Sequence, residues 1–247
     1  MHHHQPWLYA IAIADRDIEI DPTPFLGIQD PVASLTHLFG ALAFLLLGIG
    51  LIERGRGDQL RVVALVVYIL GVVGTLLASG LLHMAMRETL MRSVMVRIDH
   101  AAIFFLIAAT YTPVHIIEFR GWMRWGVLGL IWAAAAAGML LKIAFFNALA
   151  EWLSLTLYLT LGWAGLFTAY ALHRVVGRKP LMPIVIGAMA YTVGALVDVS
   201  GLAPLVPGLI GVHEVFHFCV LVGVAAHWIY IRRIAIHAPV TDLYSRY

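Results

Sequence analysis

Charged side chains make up only 12% of the 247 residues, cysteine occurs once (Cys219), and Lys and Arg never run longer than a pair. A soluble domain carries about 25% charged residues, so this chain is not an ordinary cytosolic enzyme or a disordered polypeptide. Without a basic run it cannot neutralise a phosphate backbone, which excludes a nucleic-acid partner. One cysteine excludes an internal disulfide framework and any cysteine-based zinc cluster. Alternation of apolar and polar residues with period two is also missing from the long apolar runs, which excludes a membrane β-barrel.

What is present is hydrophobicity: 62% of residues are apolar and the mean hydropathy is +0.89. A helix needs about 20 mostly apolar residues to cross the hydrocarbon core. Seven stretches satisfy this, at roughly 32–52, 62–83, 100–118, 122–145, 152–172, 181–199 and 212–236. Short polar or Pro/Gly-rich breaks separate them at 53–59, 84–99, 118–121, 147–151, 173–180 and 200–211. The expected fold is an all-α membrane protein, a bundle of seven transmembrane helices at 31–237 between a polar tail (1–30) and a C-terminal tail (238–247). The first 30 residues lack the charged start and apolar block of a secretory signal. His2, His3 and His4 are read as a chain end without a preformed metal site.

Seven spans make the loops alternate between membrane faces. One face collects Arg54, Arg56, Arg61, Arg120, Arg124, Arg174, Arg178, Lys179, Arg232, Arg233 and Arg246; the other has only Arg16, Arg87, Arg92, Arg97 and Lys142. The positive-inside rule then predicts the N-terminus outside and the C-terminus in the cytoplasm.

Ionisable residues inside a membrane are costly and mark functional sites by default. The topology brings several of them to the N-terminal face. His83 ends span two, Asp99 and His100 open span three, and His213 and His217 open span seven. His213 and His217, at i and i+4, share one helical face. Together they can bind one metal, and His83 can complete a three-histidine set. Three histidines with an open fourth position describe a catalytic zinc site, Zn2+, near one membrane face. Asp99 is placed to orient a zinc-bound water or accept its proton. Ser79, one turn before His83, can hydrogen-bond the water, a substrate carbonyl or a ligand's second ring nitrogen. His37, near the start of span one, is a candidate outer partner.

Simpler roles exist for each residue. His83 can anchor a helix end at the headgroups, and Asp99 can cap a helix or pair with Arg97. The segment HisGluValPheHis at 213–217 also satisfies H-E-x-x-H, with Glu214 as the general base of a metalloprotease. The chain has no Asp-Gly to supply a third carboxylate ligand in the usual membrane-protease context, and Glu214 reads as an exposed acid at a helix N-terminus.

SerGlyLeuLeuHis at 79–83, the block ArgIleAspHisAlaAlaIlePhePheLeuIleAlaAlaThrTyrThrProVal at 97–114, and HisGluValPheHis at 213–217 resemble the three blocks of bacterial hemolysin III proteins. These belong with the progestin and adipoQ receptor family, which includes the adiponectin receptors. Minor blocks at 34–41, 157–163 and 190–194 fit as well, so the resemblance covers about 31–236. It implies a seven-helix bundle with zinc held by His83, His213 and His217, Asp99 contacting the zinc-bound water, and Ser79 in the serine position one turn before the first ligand. Similar proteins include alkaline ceramidases, so the resemblance implies hydrolysis of a ceramide-like amide or ester, with membrane lipids as partners and the bacterial plasma membrane as location. A non-enzymatic sensor with structural zinc and a cytolytic pore-former are the alternatives. Leu82 stands where the family often has tyrosine, which puts substrate preference in question. The adiponectin receptors also place the N-terminus and zinc site in the cytoplasm, opposite to the charge count.

Overall fold

In the computed structural model, residues 22–236 are described. His2–His4, Arg16 and Arg246 of the charge count, His237, and the segment 238–247 lie outside them. The described residues contain eight α-helices: α1 Pro31–Arg54, α2 Gln59–Met84, α3 Leu90–Glu118, α4 Gly121–Ala144, α5 Glu151–Trp163, α6 Gly165–Val176, α7 Met182–Asp198 and α8 Val212–Ile234. α5 and α6 together make one span, so seven spans are long and apolar enough to cross a membrane. Among the described residues the only β-type pairings are the isolated bridges Phe25–Ile28 and Val206–Ile210.

Two details correct the expected boundaries. The segment 90–99, read as part of a polar break, is already helical: Thr89 Oγ1 accepts from Arg92 N at 3.2 Å and caps α3 there. Apolar residues interleaved with Arg92, Ser93 and Arg97 lengthen the helix towards the membrane face, so Asp99 lies in the third turn of α3 and does not cap it. The fifth span, expected as one run, breaks at Ala164. The Tyr111 hydroxyl of α3 is shared between the carbonyls that the break leaves open, Leu161 O at 3.0 Å and Gly162 O at 2.9 Å. A broken helix needs such a partner in lipid, where water cannot serve. Pro113 interrupts the α3 ladder in the same region. Beside it, Thr112 Oγ1 donates to Ala108 O at 2.9 Å and accepts from Trp132 Nε1 at 3.1 Å.

Spans two, three and seven are the most enclosed and span five the least. Each span packs mainly on its chain neighbour, while α1 and α3 also touch α8, which closes the bundle. Helices in lipid gain no hydrophobic energy from pairing, so van der Waals fit at small residues holds them together. A Cβ on Gly71 of α2 would lie 2.4 Å from the Ala109 Cβ of α3. Across α7 and α8, Gly194 faces Cys219, Gly223 faces the Tyr191 ring and Gly187 faces His227. At the N-terminal face of the bundle, Gly80 lets α1 approach, and Ser34 Oγ donates to Gly80 O at 2.9 Å.

Gly71→Val should therefore lower the thermal midpoint by an amount equivalent to about 1–3 kcal/mol of overpacking. Gly74→Val, on the same helix but facing open space, should cost much less. Differential scanning fluorimetry of the two purified variants checks the contrast, and equal effects would contradict the packing.

Candidate metal centre

The last turn of α2 and the first turns of α8 meet at one end of the bundle, joined there by the start of α1 and the end of α7. His83 comes from α2 and His213 and His217 from α8. Their Nε2 atoms converge: His213 to His217 at 3.0 Å, His83 to His217 at 3.1 Å and His83 to His213 at 3.4 Å. His83 and His217 are fully enclosed, and His213 is 23% exposed. These three residues form the group able to hold a metal ion among the described residues.

The outward nitrogens explain why the inward ones are free. His83 Nδ1 donates to Asp30 Oδ2 at 3.0 Å. His213 Nδ1 donates to Asp198 Oδ1 at 2.8 Å. His217 Nδ1 lies 3.0 Å from His37 Nε2 and 3.2 Å from His37 Nδ1, and His37 Nε2 lies 3.3 Å from the His217 carbonyl. A consistent assignment has His217 Nδ1–H donating to His37 Nδ1 and His37 Nε2–H donating to the carbonyl. With all three Nδ1 atoms protonated and engaged, each Nε2 carries a lone pair. Three lone pairs pointed at one another repel unless a cation lies between them. Zn–N bonds of about 2.0–2.1 Å in tetrahedral geometry put ligand nitrogens about 3.3–3.4 Å apart, close to the triangle of 3.0, 3.1 and 3.4 Å. The donor set therefore fits zinc in both chemistry and spacing.

Asp30 is the most deeply built of the outer partners. It is fully buried, and its Oδ2 also receives both terminal nitrogens of buried Arg92 at 3.4 Å. Arg92 in turn donates to Ala85 O at 2.9 Å. Asp30 precedes α1 in the N-cap position but makes no side-chain cap, because its carboxylate is turned to His83 and Arg92. Its own amide donates to His83 O at 2.9 Å.

Ser79 is buried one turn before His83 and contacts the Asp99 carboxyl of α3, which also faces His213. Glu214, read from sequence as an exposed helix-end acid, is fully buried. Its Oε2 accepts from Gly211 N at 2.9 Å. That oxygen closes the start of α8 as an N-terminal cap.

A haemolysin-III-related family model matches residues 27–228, and that range contains every residue of this centre. The chain belongs to the haemolysin-III family. It is 29% identical over 203 residues to Hemolysin-3 of Bacillus cereus, covering 80% of this chain and 88% of that protein. It is 27% identical over 206 residues to the Hemolysin-3 homolog of Bacillus subtilis (strain 168), covering 81% and 91%. As a haemolysin-III protein with seven apolar spans, it is an integral membrane protein.

Sequence reasoning missed Asp30 and Asp198, although the signal was there. Asp198 ends span six and Asp30 starts span one, so the alternation that gathers the histidines puts both aspartates on the same face. An aspartate at the end of an apolar span needed a partner, and an imidazole on that face was the available one.

Outer partners of this kind are worth about 10–100-fold in metal affinity. Asp198→Ala should weaken metal binding by that factor with little loss of fold, measured by chelator competition; unchanged affinity would contradict the role. Asp30→Ala should cost more in stability, about 3–5 kcal/mol, because it takes the carboxylate away from the buried Arg92 guanidinium. Thermal unfolding of Asp30→Ala against Asp30→Ala/Arg92→Met checks this, with the double variant recovering part of the loss.

Proposed function

We propose that this protein is a zinc-dependent hydrolase that cleaves an amide or ester bond of a membrane lipid, such as a ceramide-like substrate. The observation that carries the reading is the convergence of three Nε2 lone pairs, each fixed by a hydrogen bond at Nδ1, beside a carboxyl and a hydroxyl that no metal ligand uses. His83, His213 and His217 would hold the ion, with Asp99 of the neighbouring helix close to His213. Bound there, zinc supplies an acidified water and Lewis-acid polarisation of the scissile carbonyl. Asp99 takes the proton of the attacking water at its carboxylate and returns it to the leaving amine or alkoxide. Ser79 holds the Asp99 carboxyl in position, and its hydroxyl can donate to the developing oxyanion. The apolar walls of the bundle bring the lipid to the centre from within the bilayer, and the bacterial plasma membrane is the proposed location.

A second reading draws on the same geometry. The ligands and their outer partners come from spans one, two, six and seven, so a bound ion also ties four spans together, as a structural zinc in a sensor or receptor does. The two readings separate at Asp99. Asp99→Asn should lower turnover of a fluorescent ceramide analogue by 10^2-fold or more while zinc content and thermal midpoint stay at wild-type values. Full activity in that variant would sink the hydrolytic mechanism. The name of the Bacillus relatives also points to cytolysis; dye leakage from liposomes reconstituted with the purified protein tests that activity.

A further inference from the structure

At the histidine end of the bundle, two connecting segments carry an apolar surface that the core does not use. The connection from α7 to α8, residues 199–211, is the longest between described spans and holds no charged residue; Ser200 is its one polar side chain. The connections at 55–58, 85–89 and 177–178 carry Arg56, Asp58, Arg87, Glu88 and Arg178 instead. Leu202 and Leu209 are exposed, and Leu205 is 73% exposed. A second hairpin lies against this segment. Phe25 and Ile28 exchange backbone hydrogen bonds of 3.0 Å around Leu26 and Gly27, and Thr23 N donates to Gly208 O at 2.9 Å. Phe25 is exposed, and Leu26 is 85% exposed. Leu26 has a φ of 51°, in the left-handed region where Gly, Asn or Asp is the ordinary choice for such a turn.

Continuity, depth and backbone satisfaction give this surface one partner, the bilayer. Exposed Val193 and Leu196 of α7 lead through exposed Val199 to Leu202, so the surface extends the lipid-facing side of that span. The span Lys179–Asp198 has 20 residues, which at 1.5 Å per residue is about 30 Å, the thickness of the hydrocarbon core. With Lys179 among the headgroups of the opposite face, Asp198 lies at the boundary on the histidine face, and the connection starts there. Its backbone is largely satisfied without water, as a segment at membrane depth requires. Val206 N donates to Ile210 O at 3.0 Å, Ile210 N to Val206 O at 2.8 Å and Leu209 N to Val206 O at 3.0 Å. Leu202 N donates to Ser200 Oγ at 3.3 Å, and Pro204 and Pro207 have no N–H to leave open. In water, a leucine at position 26 costs stability through both its conformation and its exposure; among acyl chains the second cost disappears. Both ends of the 199–211 connection belong to the centre, since Asp198 Oδ1 accepts from His213 Nδ1 at 2.8 Å. We propose that the hairpin at 25–28 and the connection 199–211 form an apolar lip seated in the headgroup–acyl boundary of the leaflet on the histidine face, holding Asp198 and His213 at that depth. This seat does not depend on the hydrolytic reading of the centre.

Nitroxide labels on the full-length protein in phosphatidylcholine nanodiscs test this. The labels go on Leu26→Cys and Leu205→Cys, with Leu196→Cys as the lipid-facing control and Arg56→Cys as the aqueous control, each in a Cys219→Ala background. Electron paramagnetic resonance then compares each label's access to dissolved oxygen, which concentrates among acyl chains, with its access to a water-soluble nickel chelate. Oxygen should dominate at positions 26 and 205 as it does at 196, and nickel should dominate at 56. Nickel dominating at either 26 or 205 puts that hairpin in water and overturns the lip. Low access to both reagents overturns it as well, because protein then covers the surface; a second copy is the cover if the labels also broaden one another. Should Leu26→Cys fail to fold, Phe25→Cys takes its place in the comparison.

Discussion

An imidazole inside an apolar bundle has two nitrogens to satisfy and no water to satisfy them. That constraint organises one whole end of this protein. Each of His83, His213 and His217 turns Nδ1 to a dedicated acceptor, and this leaves three Nε2 lone pairs within 3.4 Å of one another. The acceptors come from α1, from the segment before it and from the end of α7, so their helices must be placed well before the ligands can be. Close packing at Gly80 and Ser34, and between α7 and α8, fixes those placements. The cost of an unsatisfied polar group in lipid thus ties the packing of the bundle to the geometry of the centre.

The polar inventory is uneven along the bundle axis. At the histidine end lie the buried carboxylates Asp30 and Glu214, the buried Arg92, and four histidines, of which His37 joins the other three through His217. Towards the middle the contacts are mainly aromatic and aliphatic, with Phe44, Tyr68 and Trp228 packed together between α1, α2 and α8. At the opposite end, His115 in the last turn of α3 bonds Met123 O at 2.6 Å and Thr168 Oγ1 at 3.0 Å, a side chain used singly. The contrast separates side chains that satisfy backbone from side chains arranged around a shared point. Only the second kind calls for a ligand.

Much of this was legible in the sequence. Continuous apolar runs about 20 residues long gave seven spans, because the bilayer leaves a helix no shorter solution. Alternation of spans across the membrane brought His83, His213 and His217 together despite 130 residues between the first two. What stayed hidden has physical causes. The early start of α3 was masked by Arg92 and Arg97, whose charge reads as a loop although Arg92 is buried against Asp30. The break at Ala164 leaves no proline or charge to mark it, since Tyr111 of another helix satisfies the open carbonyls. Asp30 fell at the end of the polar tail, and nothing local reveals that its carboxylate is turned to His83. Burial of Glu214 was equally invisible, because an acid at a helix N-terminus looks the same in sequence whether it faces water or protein.

The most direct measurement is elemental analysis of the purified protein, wild type beside His83→Ala and His213→Ala. About one zinc per chain in the wild type, and almost none in either variant at preserved helical content, is the predicted result. A folded wild type without metal would contradict the account, because three facing imidazole nitrogens would then need another explanation.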